Sequence, residues 1–312
     1  MASKRLAFIY PGQGSQHIGM ARDLFESSED IAHIYHQAEI TLGRNLTTTM
    51  FDGPEEELRN TRNAQPAIFL HEYAITRVLA SHGVAPAIVA GHSVGEYAAL
   101  VTANVIDYGH ALWLIAQRGE LMSEAGQLSP GTMAAVLGLD DAEVERCCRE
   151  VGGNVVVANY NSAGQVVISG DKAGIDKAVE LCKQAGAKRA LPLAVSGAFH
   201  SPLVNDANAT LAENIERVIF RDATIPVITN VDGKAHTNGN DIKANLLAQM
   251  VSSVRWTETM KTIQNADVDA VVEVGPGSVL TGLARRSIKD VPLYQLSTVE
   301  DIKTFLPELC AS

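Results

Sequence analysis

Short apolar runs closed by glycine or proline alternate along this chain with longer segments of helical period, which predicts a mainly parallel sheet covered by helices, an α/β fold. Leu6 to Tyr10 reads as a buried strand ending in the loop Pro11-Gly12-Gln13-Gly14-Ser15-Gln16, and Ala87 to Ala90 as a second strand entering Gly91-His92-Ser93-Val94-Gly95. Between them, Pro54 followed by three glutamates marks a helix start through its fixed φ and first-turn acids. Gln65-Pro66 opens another helix that ends near His82-Gly83. Val94 to Ala103 and Tyr108 to Ala125 are rich in Ala, Leu and charged residues without internal proline, so two consecutive helices are expected.

The rhythm changes at the turn signal Ser129-Pro130-Gly131. Strand Met133 to Leu137, a helix capped at Asp140 with Glu143 three residues on, strand Val155 to Tyr160 and a turn over Asn161 to Gly164 come first. Strand Val166 to Ser169, helix Lys172 to Ala185 and strand Arg189 to Leu193 complete βαββαβ, the ferredoxin-like order. The first rhythm then returns: a helix from about Pro202, strand Pro226 to Thr229, helices Asp241 to Met250 and Thr257 to Asn265, strand Ala270 to Val274, and Gly275-Pro276-Gly277 before a further helix. The expected division is a large α/β unit from residues 1–128 and 198–312, with a small α+β unit, residues 129–197, inserted into it.

At 312 residues and 46% hydrophobic the chain can build a sizeable core. No apolar run approaches the length of a membrane span, and Pro11 and Gly12 interrupt the start before a signal-peptide core can form, so the expected address is the cytoplasm. A net charge of -11, with no basic run carrying interleaved aromatics, argues against nucleic acid as a partner. Cys147, Cys148, Cys182 and Cys310 lack C-x-x-C or histidine-linked spacing; thiols are expected, with no metal site and no disulfide framework.

Gly91-His92-Ser93-Val94-Gly95 matches G-x-S-x-G, in which a serine on a tight strand-to-helix turn exposes its hydroxyl. The positive end of the following helix lies where a tetrahedral oxyanion would form, and Val94 supplies the amide after the nucleophile. The bland alternative is a glycine-rich turn before a helix. A serine hydroxyl needs a base, and nine histidines compete for that role. His17, His33, His36, His71, His82, His110 and His236 fall on helices or in polar loops, and His92 points away at the elbow. His200, in Ser196-Gly197-Ala198-Phe199-His200-Ser201-Pro202, lies where the inserted unit rejoins the main one. No acid sits in a setting that completes a triad, so a dyad is the better reading. Arg118 ends the apolar run Ala111-Leu112-Trp113-Leu114-Ile115-Ala116-Gln117; it is either at a solvated helix edge or buried against an anion, and if buried its planar fork suits a carboxylate.

Together these residues resemble the malonyl-CoA:acyl carrier protein transacylase family over nearly the whole chain. The motifs that carry the resemblance are Pro11 to Gln16 with Gly19-Met20, Gly91 to Tyr97, Gln117-Arg118-Gly119, Asn159-Tyr160-Asn161-Ser162, Gly197 to Ser201 and Gly275-Pro276-Gly277, in the family's order. The resemblance implies a large domain related to α/β-hydrolases with a ferredoxin-like insertion. It implies Ser93 as nucleophile, His200 as base, Arg118 as partner of the malonyl carboxylate, and the amides of Gln13 and Val94 as the oxyanion hole. It also implies that the Gln249 main-chain carbonyl holds the histidine in place of an acid, and that Phe199 crowds the acyl α-carbon. Ser278 and Val94 stand where relatives often carry other residues, without removing a catalytic group. The implied reaction is malonyl transfer from malonyl-CoA to acyl carrier protein by a monomeric enzyme with no cofactor. Lys183, Lys188, Arg189, Arg285 and Arg286 are candidates for meeting the acidic carrier. A discrete polyketide transacylase shares every motif, a carrier-protein acyl hydrolase would pass the acyl group to water, and a docking-only subunit would make Ser93 dispensable.

Overall fold

The computed structural model describes residues 4–195 and 197–310, with the side chain of Cys310 left out; Ser196, in the segment leading to His200, lies outside the described residues. Among the described residues ten strands form two sheets: β1 Leu6–Tyr10, β2 Ile88–Gly91, β3 Gly131–Leu137, β4 Val156–Ser162, β5 Gln165–Asp171, β6 Arg189–Pro192, β7 Val227–Ile228, β8 Ala235–His236, β9 Ala270–Val274 and β10 Leu293–Leu296. The larger sheet has the order β10-β9-β1-β2-β7-β8 and is parallel except for β8. β1 is its buried centre, with all five residues out of solvent, as expected of a parallel strand covered on both faces. The second sheet, β4-β5-β3-β6, is antiparallel throughout, with the helices Asp141–Val151 and Lys172–Gln184 between its strands. Strands of the larger sheet precede and follow it in the chain.

The two sheets meet where the site is built. Asn159 of β4 forms a parallel bridge with Val254, and Ser253 Oγ donates to the Val157 carbonyl at 2.6 Å. The small sheet therefore braces the segment after helix Gly239–Gln249, the segment that faces His200.

Several local expectations shift. The helix expected to open at Gln65-Pro66 begins earlier, at Thr61, with the Asn60 side chain accepting from the Arg62 amide, and runs to Ser81. Pro66 is tolerated inside it because the Arg62 carbonyl, left without its helical donor, accepts from Arg44 Nη2 at 2.6 Å. At Asp140 the cap forms, but Glu143 pairs with Arg146 instead of reaching back to complete a capping box. Pro202 starts a single 3₁₀ turn, Pro202–Val204, before the helix Asn205–Glu216. Between Gln16 and Pro54, where the sequence reading assigns nothing, lie the helices Arg22–Ser27, Glu29–Leu42 and Leu46–Asp52.

Candidate active site

Ser93 sits between β2 and the helix Gly95–Thr102, at a left-handed φ of 53°. The flanking glycines make that bend possible. A Cβ on Gly91 would lie 2.0 Å from the Gly95 carbonyl group, and one on Gly95 would lie 2.3 Å from the Tyr10 carbonyl oxygen. Backbone packs on backbone, so the loop after β1 is pressed against the elbow. Asn230, just beyond β7, finishes the clamp: its Oδ1 accepts from the Ser93 amide at 2.7 Å and its Nδ2 donates to the Gly91 carbonyl at 2.6 Å.

The Ser93 hydroxyl is 2.9 Å from His200 Nε2. The other ring nitrogen of His200, Nδ1, faces the carbonyls of Gln249 at 3.1 Å and Ser252 at 3.0 Å. Carbonyls only accept, so Nδ1 carries the proton and Nε2 presents its lone pair to Ser93. His200 also has a left-handed φ, 55°, uncommon for a residue with a Cβ. Its pKa is pushed down to about 3, by burial first and then by the charges of Arg118 and His92, against the two carbonyls that raise it. The ring is neutral at physiological pH.

Arg118, from helix Tyr108–Leu128, is buried with 1% of its surface exposed. It donates to Gln65 Oε1 at 2.8 Å, to Ser93 Oγ at 3.0 Å and to Gln249 Oε1 at 3.3 Å, all uncharged acceptors. Its Nε is buried without a partner among the described residues. Burial lowers its pKa, opposed by Tyr97 and Glu96. Phe199 is buried beside the dyad and lines the cavity. Gln13 also lines it, with its side chain donating to Thr61 Oγ1 at 3.1 Å. Among the described residues, neither the Gln13 nor the Val94 amide donates a hydrogen bond, so both remain available to a ligand.

Ser93 and His200 open into a cavity of about 420 Å³, within the usual range for a small-molecule site. Met133, Val167 and Leu193 from the second sheet and its exit form one wall, while Leu280 and Leu283 approach from beyond β9. His92 turns from the reacting hydroxyl to Asn161 Oδ1 at 3.0 Å. Of the basic candidates at the surface, Lys183 pairs with Glu180 and Arg286 donates to Gln165, while Lys188, Arg189 and Arg285 are exposed.

Sequence reasoning missed Gln65, Asn230, Ser252 and the buried Glu96 as parts of this arrangement. Asn230 had a usable signal: it directly follows an expected strand, and ligands of parallel sheets gather at the strands' carboxyl ends. The others had none, because the groups they touch are remote in sequence.

A serine elbow over a parallel sheet, a neutral histidine at hydrogen-bond distance and amides without partners among the described residues define an enzyme that works through an acyl-serine ester. Residues 7–305 match the acyl transferase domain family. A malonyl CoA-acyl carrier protein transacylase of Escherichia coli O157:H7 is 44% identical over 287 residues, spanning 91% of this chain and 93% of the relative. One of Bacillus subtilis strain 168 is 40% identical over 302 residues, 95% of each. Among solved structures, an acyl carrier protein S-malonyltransferase from Vibrio cholerae is 41% identical with a TM-score of 0.92, covering 96% of this chain and 99% of that one. A malonyl-transacylase in complex with its type II polyketide acyl-carrier protein is likewise 41% identical, with a TM-score of 0.93 over 97% of this chain and 99% of the other. The chain belongs to the malonyl-CoA:acyl carrier protein transacylase family.

Proposed function

We propose that this protein transfers malonyl from malonyl-CoA to the phosphopantetheine thiol of acyl carrier protein through an ester on Ser93, supplying extender units for fatty acid biosynthesis. The observation that carries the substrate choice is Arg118: a buried guanidinium on the nucleophile's oxygen, hydrogen-bonded among the described residues to neutral groups alone, is complementary to an acyl chain ending in a carboxylate. His200 Nε2 takes the Ser93 proton as Oγ attacks the thioester carbonyl. The oxyanion falls to the amides of Gln13 and Val94, and the coenzyme A thiolate leaves with the proton from His200. The carrier thiol then repeats the sequence in reverse on the malonyl ester. The imidazolium formed in each half is steadied by the Gln249 and Ser252 carbonyls, which serve where a triad would use an acid. Phe199 limits bulk at the acyl α-carbon.

Every group in this scheme comes from one chain, so a monomer suffices, and acyl transfer by this route requires no metal or redox cofactor. The inserted unit, 129–197, walls the cavity, and the reaction is placed in the cytoplasm, away from membranes and nucleic acid. The likeness to a transacylase seated on a polyketide carrier favours one second reading, in which the recipient carrier serves polyketide assembly.

Intact-protein mass spectrometry after brief exposure to malonyl-CoA tests the scheme. A malonyl adduct in the wild type, absent from Ser93→Ala and discharged onto a carrier protein bearing pantetheine, is the expected result. Discharge to water instead would make the protein a hydrolase.

A further inference from the structure

Behind the reacting atoms lies an acid that the scheme above does not use. Glu96, in the first turn of helix Gly95–Thr102, is fully buried. Its Oε2 accepts from Gln249 Nε2 at 3.0 Å and from the Asn230 amide at 3.0 Å, while Oε1 has no partner among the described residues. Both donor residues hold the elbow. Gln249 Nε2 also donates to the Ser93 carbonyl at 2.9 Å, and Asn230 clamps Ser93 and Gly91 as described. The opposite end of the Gln249 amide, Oε1, accepts from Arg118 Nη2. One primary amide therefore stands between a buried acid and the cation that faces the substrate.

Few other charges face Glu96. Asp232, in the turn after β7, is tied to His236 at 2.9 Å and to Thr229 at 2.9 Å. Tyr97 on its own helix is un-ionised, its pKa pushed up by burial to about 12, and His200 is neutral. The hydrogen bonds from Gln249 and the Asn230 amide, and after them the field of Arg118, compensate a negative Glu96, and of these Arg118 alone carries a charge that a substrate can answer. A substrate carboxylate paired with Arg118 would place a second anion on the same cation, closer than the first, and strand Glu96 in a low-dielectric interior.

We propose that Glu96 is a positioning residue whose protonation is coupled to occupation of Arg118: it shares the empty site with the guanidinium as a carboxylate and takes a proton from solvent when a dicarboxylic acyl group is mounted on Ser93. In both forms Oε2 keeps accepting from Gln249 and Asn230, so the elbow holds while the charge is reset. The proposal rests on Arg118 being the partner of the acyl carboxylate. In the empty site the pKa of Glu96 is raised by burial to about 7, against the hydrogen bonds from Gln249 and Asn230 and the charge of Arg118, which lower it. An added anion moves it further up. At pH 7 the empty site is thus about half ionised and the loaded one protonated, and forming the malonyl-enzyme draws about half a proton per site, rising toward one at pH 8 and falling toward none below pH 6.

Wild-type enzyme is mixed with malonyl-CoA in weakly buffered solution containing a pH indicator, and malonyl-enzyme is counted by intact mass. The acetyl-CoA signal per acetyl-enzyme is subtracted, because it carries the released thiol's own ionisation but no acyl carboxylate. The expected result is uptake of about half a proton per malonyl-enzyme at pH 7 and more at pH 8, abolished in Glu96→Gln, whose side-chain oxygen can still accept from Gln249 and Asn230. Equal uptake in Glu96→Gln, or malonyl-enzyme formed by the wild type with no uptake at either pH, overturns the proposal. The wild-type pH series decides alone should the variant fail to fold. Absence of any malonyl-enzyme with Ser93 intact would instead refute the substrate reading, and this proposal with it.

Discussion

Replacing Arg118 by methionine keeps an apolar stem of similar length and deletes the guanidinium on Ser93 Oγ. Since Arg118 is 1% exposed and its hydrogen bonds go to neutral acceptors, an incoming carboxylate meets a cation with no counter-ion at contact distance among the described residues. Removing one member of a buried ion pair costs about 3–5 kcal/mol. At about 1.36 kcal/mol per tenfold, kcat/KM for malonyl-CoA should fall by about 10²- to 5 × 10³-fold. Acetyl-CoA has no carboxylate to strand, and the same deletion removes a charge that depresses the basicity of His200, so its rate should stay within about tenfold of wild type. The assay is single-turnover loading with each thioester, read as the mass of acyl-enzyme over time. The malonyl-to-acetyl preference should drop by at least about tenfold. An unchanged preference, with both substrates slowed alike, would refute the reasoning and reduce Arg118 to a brace for the elbow.

Two further outcomes follow from the geometry. Gly95→Ala would place a Cβ 2.3 Å from the Tyr10 carbonyl oxygen and 2.6 Å from that of Pro11, where no flexible side chain can yield; a loss of about 3 kcal/mol or more in denaturant unfolding is expected, while Gly282→Ala, in open helical space, should be neutral or slightly stabilising. The base works in its neutral form, and because burial, Arg118 and His92 hold the His200 pKa at about 3, that form persists as pH falls from 7 to 5; initial rates of malonyl loading should show no acid limb in that window, and one centred near the ordinary histidine value would contradict the assignment.

The parts of this fold that could be read from sequence are those fixed locally. The elbow was legible because Gly91 and Gly95 meet backbone within a few residues or across adjacent strands, and the β-run before them is wholly apolar. The βαββαβ order was legible because each element closes at a cap or turn. The early start at Thr61 was not, because Pro66 is made acceptable by Arg44, a tertiary contact that no helical pattern announces. Arg118 left two readings open in the sequence, solvated edge or buried cation, since the segment before it is apolar in either case; only the packing of helix Thr61–Ser81 against it, bringing Gln65 Oε1 to 2.8 Å, closes the choice. The missing triad acid was legible as an absence. What replaces it, a pair of main-chain carbonyls, has no sequence signature, and the family resemblance supplied Gln249 but not Ser252.

Two buried carboxyl groups in this protein show why Glu96 belongs to the chemistry and Glu72 to the scaffold. Glu72 is fully buried, both its oxygens lack partners among the described residues, and burial followed by the nearby Glu273 raises its pKa well above the ordinary carboxylate value. With no cation among the described residues to answer it, that acid meets the cost of burial by favouring its protonated form. Glu96 is as deeply buried, yet two donors and the field of Arg118 hold its pKa to about 7. The difference is therefore not depth but company. A buried acid balanced near neutrality responds to any change in its neighbours' charge, and the neighbour here is the group that receives the substrate. Deleting Arg118 should accordingly raise the pKa of Glu96, with the Gln249 and Asn230 hydrogen bonds still opposing its burial, and reduce the proton uptake along with the malonyl preference.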